Sequence, residues 1–249
     1  MTKGNDMTAP KRILILGGTA EARALADRLA GRAEDVITSL AGRTSAPSLP
    51  VGKVRTGGFG GAEGLARYLA ETAVTHLVDA THPFAARISA NAVIAARAAN
   101  VRLLRLERPA WTPPADANWI DVPDMPAAAR NIPENARVLL TIGRQELAAF
   151  HGVSDCTIFA RVIEPPETVP TGWTIIAARG PFTIDQERAL LETHAITHLV
   201  TKNSGSPHMA AKLEAAHAHG VAVLMIARPR LPEAETAATI EDTLSWLSA

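Results

Sequence analysis

Two sets of short stretches in this chain pair charge-binding residue types with the spacing of turns that follow β-strands. The first set begins with Gly17-Gly18-Thr19, between the apolar run RILIL and the segment AEARALADRL. Glycines there leave the backbone N–H groups of a helix N-terminus open to a phosphate, with no Cβ in the way. Ser39, Arg43 and Thr44 follow the next apolar run in SLAGRTS, Gly57 and Gly58 open GGFGG, and Thr81 and His82 stand in DATHPF. The second set carries cations at comparable places: Arg144 after Gly143, Arg161, Arg179 before Gly180, and Lys202 with Ser204 in KNSG. Backbone donors, hydroxyls and one arginine suit a dinucleotide. A row of guanidinium and ammonium groups suits an organic anion with several carboxylates, because charge-assisted hydrogen bonds supply both strength and geometry.

The glycine signal is weak alone. Ala20 and Glu21 stand where the later glycines of GxGxxG would fall, so a plain tight turn reads equally well there. The second turn discriminates better. An NAD site usually ends its second strand in an acid that binds the ribose 2′-OH, whereas Ser39, Arg43, Thr44 and Ser45 provide hydroxyls and a cation fitted to a 2′-phosphate. NADP is therefore the expected cofactor. No metal site is expected, since His217 and His219 are two apart on a predicted helix and diverge. The single tyrosine, Tyr68, has Thr72 four residues on, which excludes a Tyr-x-x-x-Lys pair, and GxSxG, Walker A and CxxC motifs are absent.

The elements that must position these residues alternate. Short Val, Ile and Leu runs at 12–16, 36–40, 54–56, 76–80 and 101–106 read as buried parallel strands, and Ala-rich segments at 62–72 and 84–99 as crossover helices. Lys plus Arg and Asp plus Glu both total 25 in 249 residues, so no net charge points to nucleic acid or a membrane surface. The polar N-terminal segment does not read as a signal peptide and the lone cysteine, Cys156, allows no intrachain disulfide. A cytoplasmic protein is expected.

The chain also resembles itself. VTHLVDATHPF is matched by ITHLVTKNSGS, KRILILGGTAEARALA by ARVLLTIGRQELAAF, and GGFGGAEGLARYLAE by ARGPFTIDQERALLE. The expected architecture is α/β, with two similar doubly wound, Rossmann-like parallel-sheet domains facing a cleft. A glycine-rich dinucleotide domain is expected over 1–110, a Pro-rich linker over 111–126 and a substrate-side domain over 127–249, its last helix free to pack back on the first domain.

Taken in order, ILILGGTAEARALA, SLAGRT, GGFGG, THLVDATHPFAARISANA, LLRLERPAW, LLTIGR and THLVTKNSG resemble the precorrin-6A reductase family of cobalamin biosynthesis, from about Arg12 to the C-terminal segment. The resemblance implies an NADPH-dependent oxidoreductase acting on a CH–CH bond, with hydride added at C19 and a proton at C18 of a polycarboxylate tetrapyrrole, precorrin-6A, to give precorrin-6B. It assigns the dinucleotide to the glycine-rich half. Arg144, Arg161, Arg179, Lys202 and Ser204 would then hold the substrate, with His82 and Lys202 as candidates for proton delivery or electrostatic assistance. It also implies transient contact with neighbouring pathway enzymes. Three readings stay open beside it: a cobalt-precorrin-6A reductase using NADH, another NADP-dependent reductase of an anionic metabolite, and a nonenzymatic NADP-responsive binding protein.

Overall fold

The computed structural model of the chain describes residues 11–32, 34–42 and 49–249. In chain order these form β1 (Arg12–Leu16), α1 (Ala20–Leu29), β2 (Asp35–Leu40), β3 (Lys53–Thr56), α2 (Gly61–Glu71), β4 (His76–Asp79), α3 (Ala86–Ala99) and β5 (Arg102–Leu106). There follow β6 (Trp119–Val122), α4 (Met125–Arg130), β7 (Arg137–Thr141), a 3₁₀ helix (Arg144–Phe150), β8 (Thr157–Val162), β9 (Thr174–Ala177), α5 (Ile184–Thr193) and β10 (His198–Lys202). The chain ends with a short 3₁₀ turn (Pro207–Met209), α6 (Ala211–Ala218), β11 (Ala222–Ile226), β12 (Glu235–Ala237) and α7 (Ile240–Ser248).

Two compact units result: 1–108 with 230–249, and 109–229. Each is built on a six-stranded sheet, ordered β12-β5-β4-β1-β2-β3 in the first and β6-β11-β10-β7-β8-β9 in the second. Among the described residues all the strand pairings are parallel. The two domains are thus similar, parallel and Rossmann-like, with β1, β2, β3, β4 and β5 answered by β7, β8, β9, β10 and β11. Within the stretch read as a linker, Trp119–Val122 forms the edge strand beside β11, and α4 begins at Met125. The C-terminal residues form β12 and α7 of the first unit.

The apolar runs explain the layers. In β1 the alternation of a strand divides one continuous hydrophobic run between two faces. Ile13 and Ile15 pack with Leu25 and Leu29 of α1 and with Leu244, Trp246 and Leu247 of α7. Leu14 and Leu16 pack with Leu65 and Leu69 of α2 and Ala92 and Ala96 of α3. In the second unit, Val223 and Met225 of β11 join Leu139, Phe159, Leu199 and Leu213. The helix after β1 starts on Thr19, whose hydroxyl accepts from Ala22 N–H at 3.1 Å. Its counterpart after β7 starts on Gly143, which gives no side-chain cap, and forms the seven-residue 3₁₀ helix.

Trp246 secures the C-terminal helix to the first sheet. It is 9% exposed, meets His76 edge-on at 5.4 Å and lies under the Arg102 guanidinium at 4.5 Å. Trp246→Ala is expected to lower the stability of the first unit by about 3–5 kcal/mol, the range for emptying a core aromatic site. Urea unfolding followed by far-UV circular dichroism measures this. A change below about 1 kcal/mol would mean that α7 contributes little to the unit.

Candidate functional site

In the first unit the parallel register sets side chains from several strands in one row near the carboxyl edge. Arg55 lies beside Ser39, Ser39 beside Leu16, Leu16 beside Asp79 and Asp79 beside Arg105. The turns that follow these positions carry the expected site residues. Gly17 is held to β2 by its N–H on Ser39 O at 2.9 Å. Gly18 has φ +113°, a backbone state that L side chains rarely adopt, and a Cβ there would meet no protein atom within 4 Å. Thr19 caps α1 and donates to Ala80 O at 2.8 Å, tying the β1 turn to the end of β4. Glu21, in the first turn of α1, would by itself repel a phosphate. Arg108 pairs with it at 2.8 Å and offsets that charge.

The turn after β4 is more closely tied. Asp79 is 2% exposed, and its Oδ1 accepts from Thr81 Oγ1 at 2.6 Å and Thr81 N at 3.2 Å. Its Oδ2 lies 3.5 Å from Arg105 Nε, long for a hydrogen bond, in a buried ion pair. Thr81, His82, Ser89 and Arg105 help line a small recess at this turn. His82 Nδ1 accepts from Phe84 N–H at 3.2 Å. A backbone N–H can only donate, so Nδ1 is the acceptor in this bond.

Gly57 and Gly58 are organised by a residue that the sequence reading passed over. The Arg55 guanidinium donates to Ser39 Oγ at 3.0 Å, Gly57 O at 2.9 Å and Gly58 O at 3.1 Å. It also lies 3.8 Å over the Phe59 ring. Ser39 is 6% exposed, so its hydroxyl meets Arg55 within the protein. Arg43 and Thr44 lie outside the described residues.

The second unit brings cations to its strand ends, as expected, and supplies acids with them. Arg144 pairs with Glu164 at 3.2 Å and Lys202 with Glu146 at 3.1 Å. Arg161, expected to bind substrate, is 8% exposed and donates through both terminal nitrogens to Glu187, at 2.8 and 2.9 Å. A desolvated arginine binds the acid that compensates it. Phe182 covers that guanidinium at 4.2 Å. Arg179 is exposed. Ser204 also differs from an open ligand: it is 6% exposed, and its hydroxyl faces Ser206 N–H at 3.5 Å. The Asn203 side-chain amide accepts from Trp111 N–H at 2.8 Å and donates to Trp111 O at 3.0 Å, and Arg228 donates to Asn203 O and Ser204 O. The KNSG turn is therefore largely occupied in holding itself.

Lys212, in the first turn of α6, was not anticipated. It is 5% exposed, with its amine 5.6 Å from the Trp111 ring. Burial first, then the charge of Arg161, push its pKa from 10.5 down to about 7, with Lys202 acting the same way and Glu187 opposing. A lysine beside Ala-rich sequence carries no sign of this, because its neighbours come from β8, α5 and β10. Among the described residues no group of His, Cys, Asp and Glu could hold a metal ion, and no helix is long and apolar enough to cross a membrane.

The family described as precorrin-6x reductase CbiJ/CobK has a model that matches residues 12–248. The chain belongs to that family. It is 48% identical over 240 residues to the precorrin-6A reductase of Rhodococcus erythropolis, covering 95% of this chain and 97% of that one. A solved structure of CobK precorrin-6A reductase superposes with a TM-score of 0.91 at 43% identity, over 96% of both chains. Cobalt-precorrin-6A reductases are more distant, as with Priestia megaterium at 31% over 249 residues, 94% of this chain and 97% of that protein. This is an oxidoreductase family, and the matched residues include strands of both sheets.

The buried amine gives a pH test. Between pH 7 and 10.5 the unfolded chain binds a proton at Lys212 that the folded chain does not, so stability rises with pH across that window. The slope from this group is at most about 1.4 kcal/mol per pH unit. Lys212→Met should remove that contribution and be the more stable form near neutral pH. Unfolding free energies of both forms across the window measure it, and identical slopes would show that Lys212 stays protonated.

Proposed function

We propose that the chain is a precorrin-6A reductase that uses NADPH to reduce the macrocycle to precorrin-6B, with hydride added at C19. The reading is carried by the division of strand-end chemistry between two similar sheets, in a chain of this family. Glycine turns, hydroxyls and a capped helix N-terminus end one sheet, while arginine and lysine end the other. The first arrangement fits a dinucleotide: positive φ and open space at Gly18 meet the need of a pyrophosphate for close backbone approach. NADPH would supply the hydride.

In this reading Gly17, Gly18 and Thr19 face the pyrophosphate, Gly57, Gly58 and Thr81 line the nucleotide's path, and Ser39, Arg43 and Thr44 mark the 2′-phosphate end. Arg144, Arg179 and Lys202 receive carboxylate arms of the substrate, while Arg161 supports them from its buried pair. Glu146 and Glu164 keep their cations balanced until substrate carboxylates take their place. Such exchange yields less net energy than filling a bare cationic pocket, yet it discriminates against small anions that cannot engage several positions together. His82 would offer its Nε2–H, and the Lys202 ammonium its charge, to the reacting region. Cytoplasmic location and transient contact with neighbouring pathway enzymes belong to the same proposal.

Anaerobic mixing with precorrin-6A should consume NADPH stoichiometrically and give a product heavier by two hydrogens. Cobalt-precorrin-6A with NADH, run in parallel, tests the nearest competing activity. Arg43→Ala is expected to weaken NADPH by about 1.5–3 kcal/mol and to leave NADH nearly unchanged, as for one lost charged hydrogen bond. Calorimetry measures both, and equal losses would remove Arg43 from the 2′-phosphate end.

The cation assignment has its own test. Lys202→Ala and Arg144→Ala should each lower macrocycle affinity by about tenfold or more, the scale of a charge-assisted bond, with NADPH affinity and melting temperature close to wild type. Unchanged tetrapyrrole affinity in both variants would place the substrate elsewhere.

A further inference from the structure

We propose that Arg55 is a specificity-determining residue of the cofactor site, its guanidinium binding the phosphate monoester that distinguishes NADPH from NADH. The proposal rests on the NADPH reading above and adds to it a residue that neither the glycine turns nor the spacing of the second strand indicated.

The geometry at the edge of β2 and β3 carries the argument. Arg55 is half-buried and in register with Ser39, the penultimate residue of β2. In a doubly wound sheet the end of the second strand lies at the adenosine ribose, where a nearby arginine accommodates a 2′-phosphate. At the same edge of this sheet, Arg105 and Arg108 each face an acid, Asp79 and Glu21. Arg55 instead makes its hydrogen bonds to neutral oxygens, those of Ser39, Gly57 and Gly58. Among the described residues no carboxylate pairs with it. Among those residues its charge therefore stands uncompensated, at the edge where a dinucleotide would bring a phosphate.

A guanidinium has five N–H donors, and these contacts use three of them. The contacts also fix its plane. Phe59 lies beneath it at 3.8 Å and Tyr68 at 5.2 Å, and the two rings meet edge-on at 5.2 Å. Rotamer freedom is thus lost before any ligand arrives, so less entropy opposes binding. A dianionic monoester can take both of the remaining donors. The ribose 2′-OH of NADH carries no charge to match the guanidinium and should gain little from it.

Arg55→Gln and Arg55→Lys, titrated by calorimetry with NADPH, NADH and 2′,5′-ADP, test the assignment. Arg55→Gln is expected to cut the preference for NADPH over NADH by about tenfold or more and to weaken 2′,5′-ADP in parallel, with NADH within about twofold of wild type. Arg55→Lys retains the charge without the fork and should keep part of the preference. Equal weakening of NADPH and NADH in both variants would make Arg55 only a clamp for the glycine loop and overturn the proposal. An unchanged preference in Arg55→Gln would also overturn it while leaving the NADPH reading intact. A wild type without preference for NADPH would overturn that reading and this proposal with it.

Discussion

An all-parallel sheet releases every one of its strands at the same edge, and the rest of this structure depends on that constraint. Antiparallel strands would scatter their turns between two ends. Here β1 to β5 all deliver their following turns to one edge, so residues far apart in sequence become neighbours without any dedicated scaffold. The register does the rest: Arg55, Ser39, Leu16, Asp79 and Arg105 fall in a single row, and parallel register points their side chains to the same face. Leu16 closes the core beneath them, and the polar members of the row satisfy or charge the edge above it.

That edge is polar at a cost. Asp79 and Arg105 are both nearly inaccessible, and ions so placed lose several kcal/mol of hydration unless a partner offsets the loss. Thr81 holds one oxygen of the Asp79 carboxylate and Arg105 faces the other in an ion pair, which ties the start of the DATHPF turn to β4 and β5. The second unit uses the same solution with the signs exchanged. Its cations arrive with Glu146, Glu164 and Glu187, so the folded unit does not carry a bare cluster of like charges. Arg161 shows the limit of that arrangement: bidentate pairing at 8% exposure turns a cation into part of the frame.

The parallel strands and the repeat were legible because they are periodic. A run such as RILIL has one reading when both faces are to be covered, and the correspondence of VTHLVDATHPF with ITHLVTKNSGS returns as β4 and β10 with their following turns. The strand β6 was not legible. Its four residues, WIDV, lie among prolines and pair with β11, which is distant in sequence. At the site, glycine turns could be read because positive φ is a local demand. The charge state of Arg161 could not, since Glu187 comes from α5 and only the folded unit brings it within 2.8 Å. The same holds for Lys212, whose depressed pKa arises from burial and from charges on other elements. Local conformation leaves a mark in sequence, while compensation between elements mostly does not.

This distinction bears on how a reduction would be shared between protein and cofactor. Hydride addition leaves the macrocycle needing a proton, and a general acid works best with a pKa near the working pH. Both residues singled out from the sequence already have partners within the protein. His82 Nδ1 accepts from Phe84 N–H. Lys202 pairs with Glu146 at 3.1 Å. Both are placed for orienting a ligand and balancing charge. Under the proposed function, then, the protein's main contribution is alignment: a dinucleotide seated on one row of strand ends, a polyanion on another, and proton transfer left to whichever weak acid the bound complex admits.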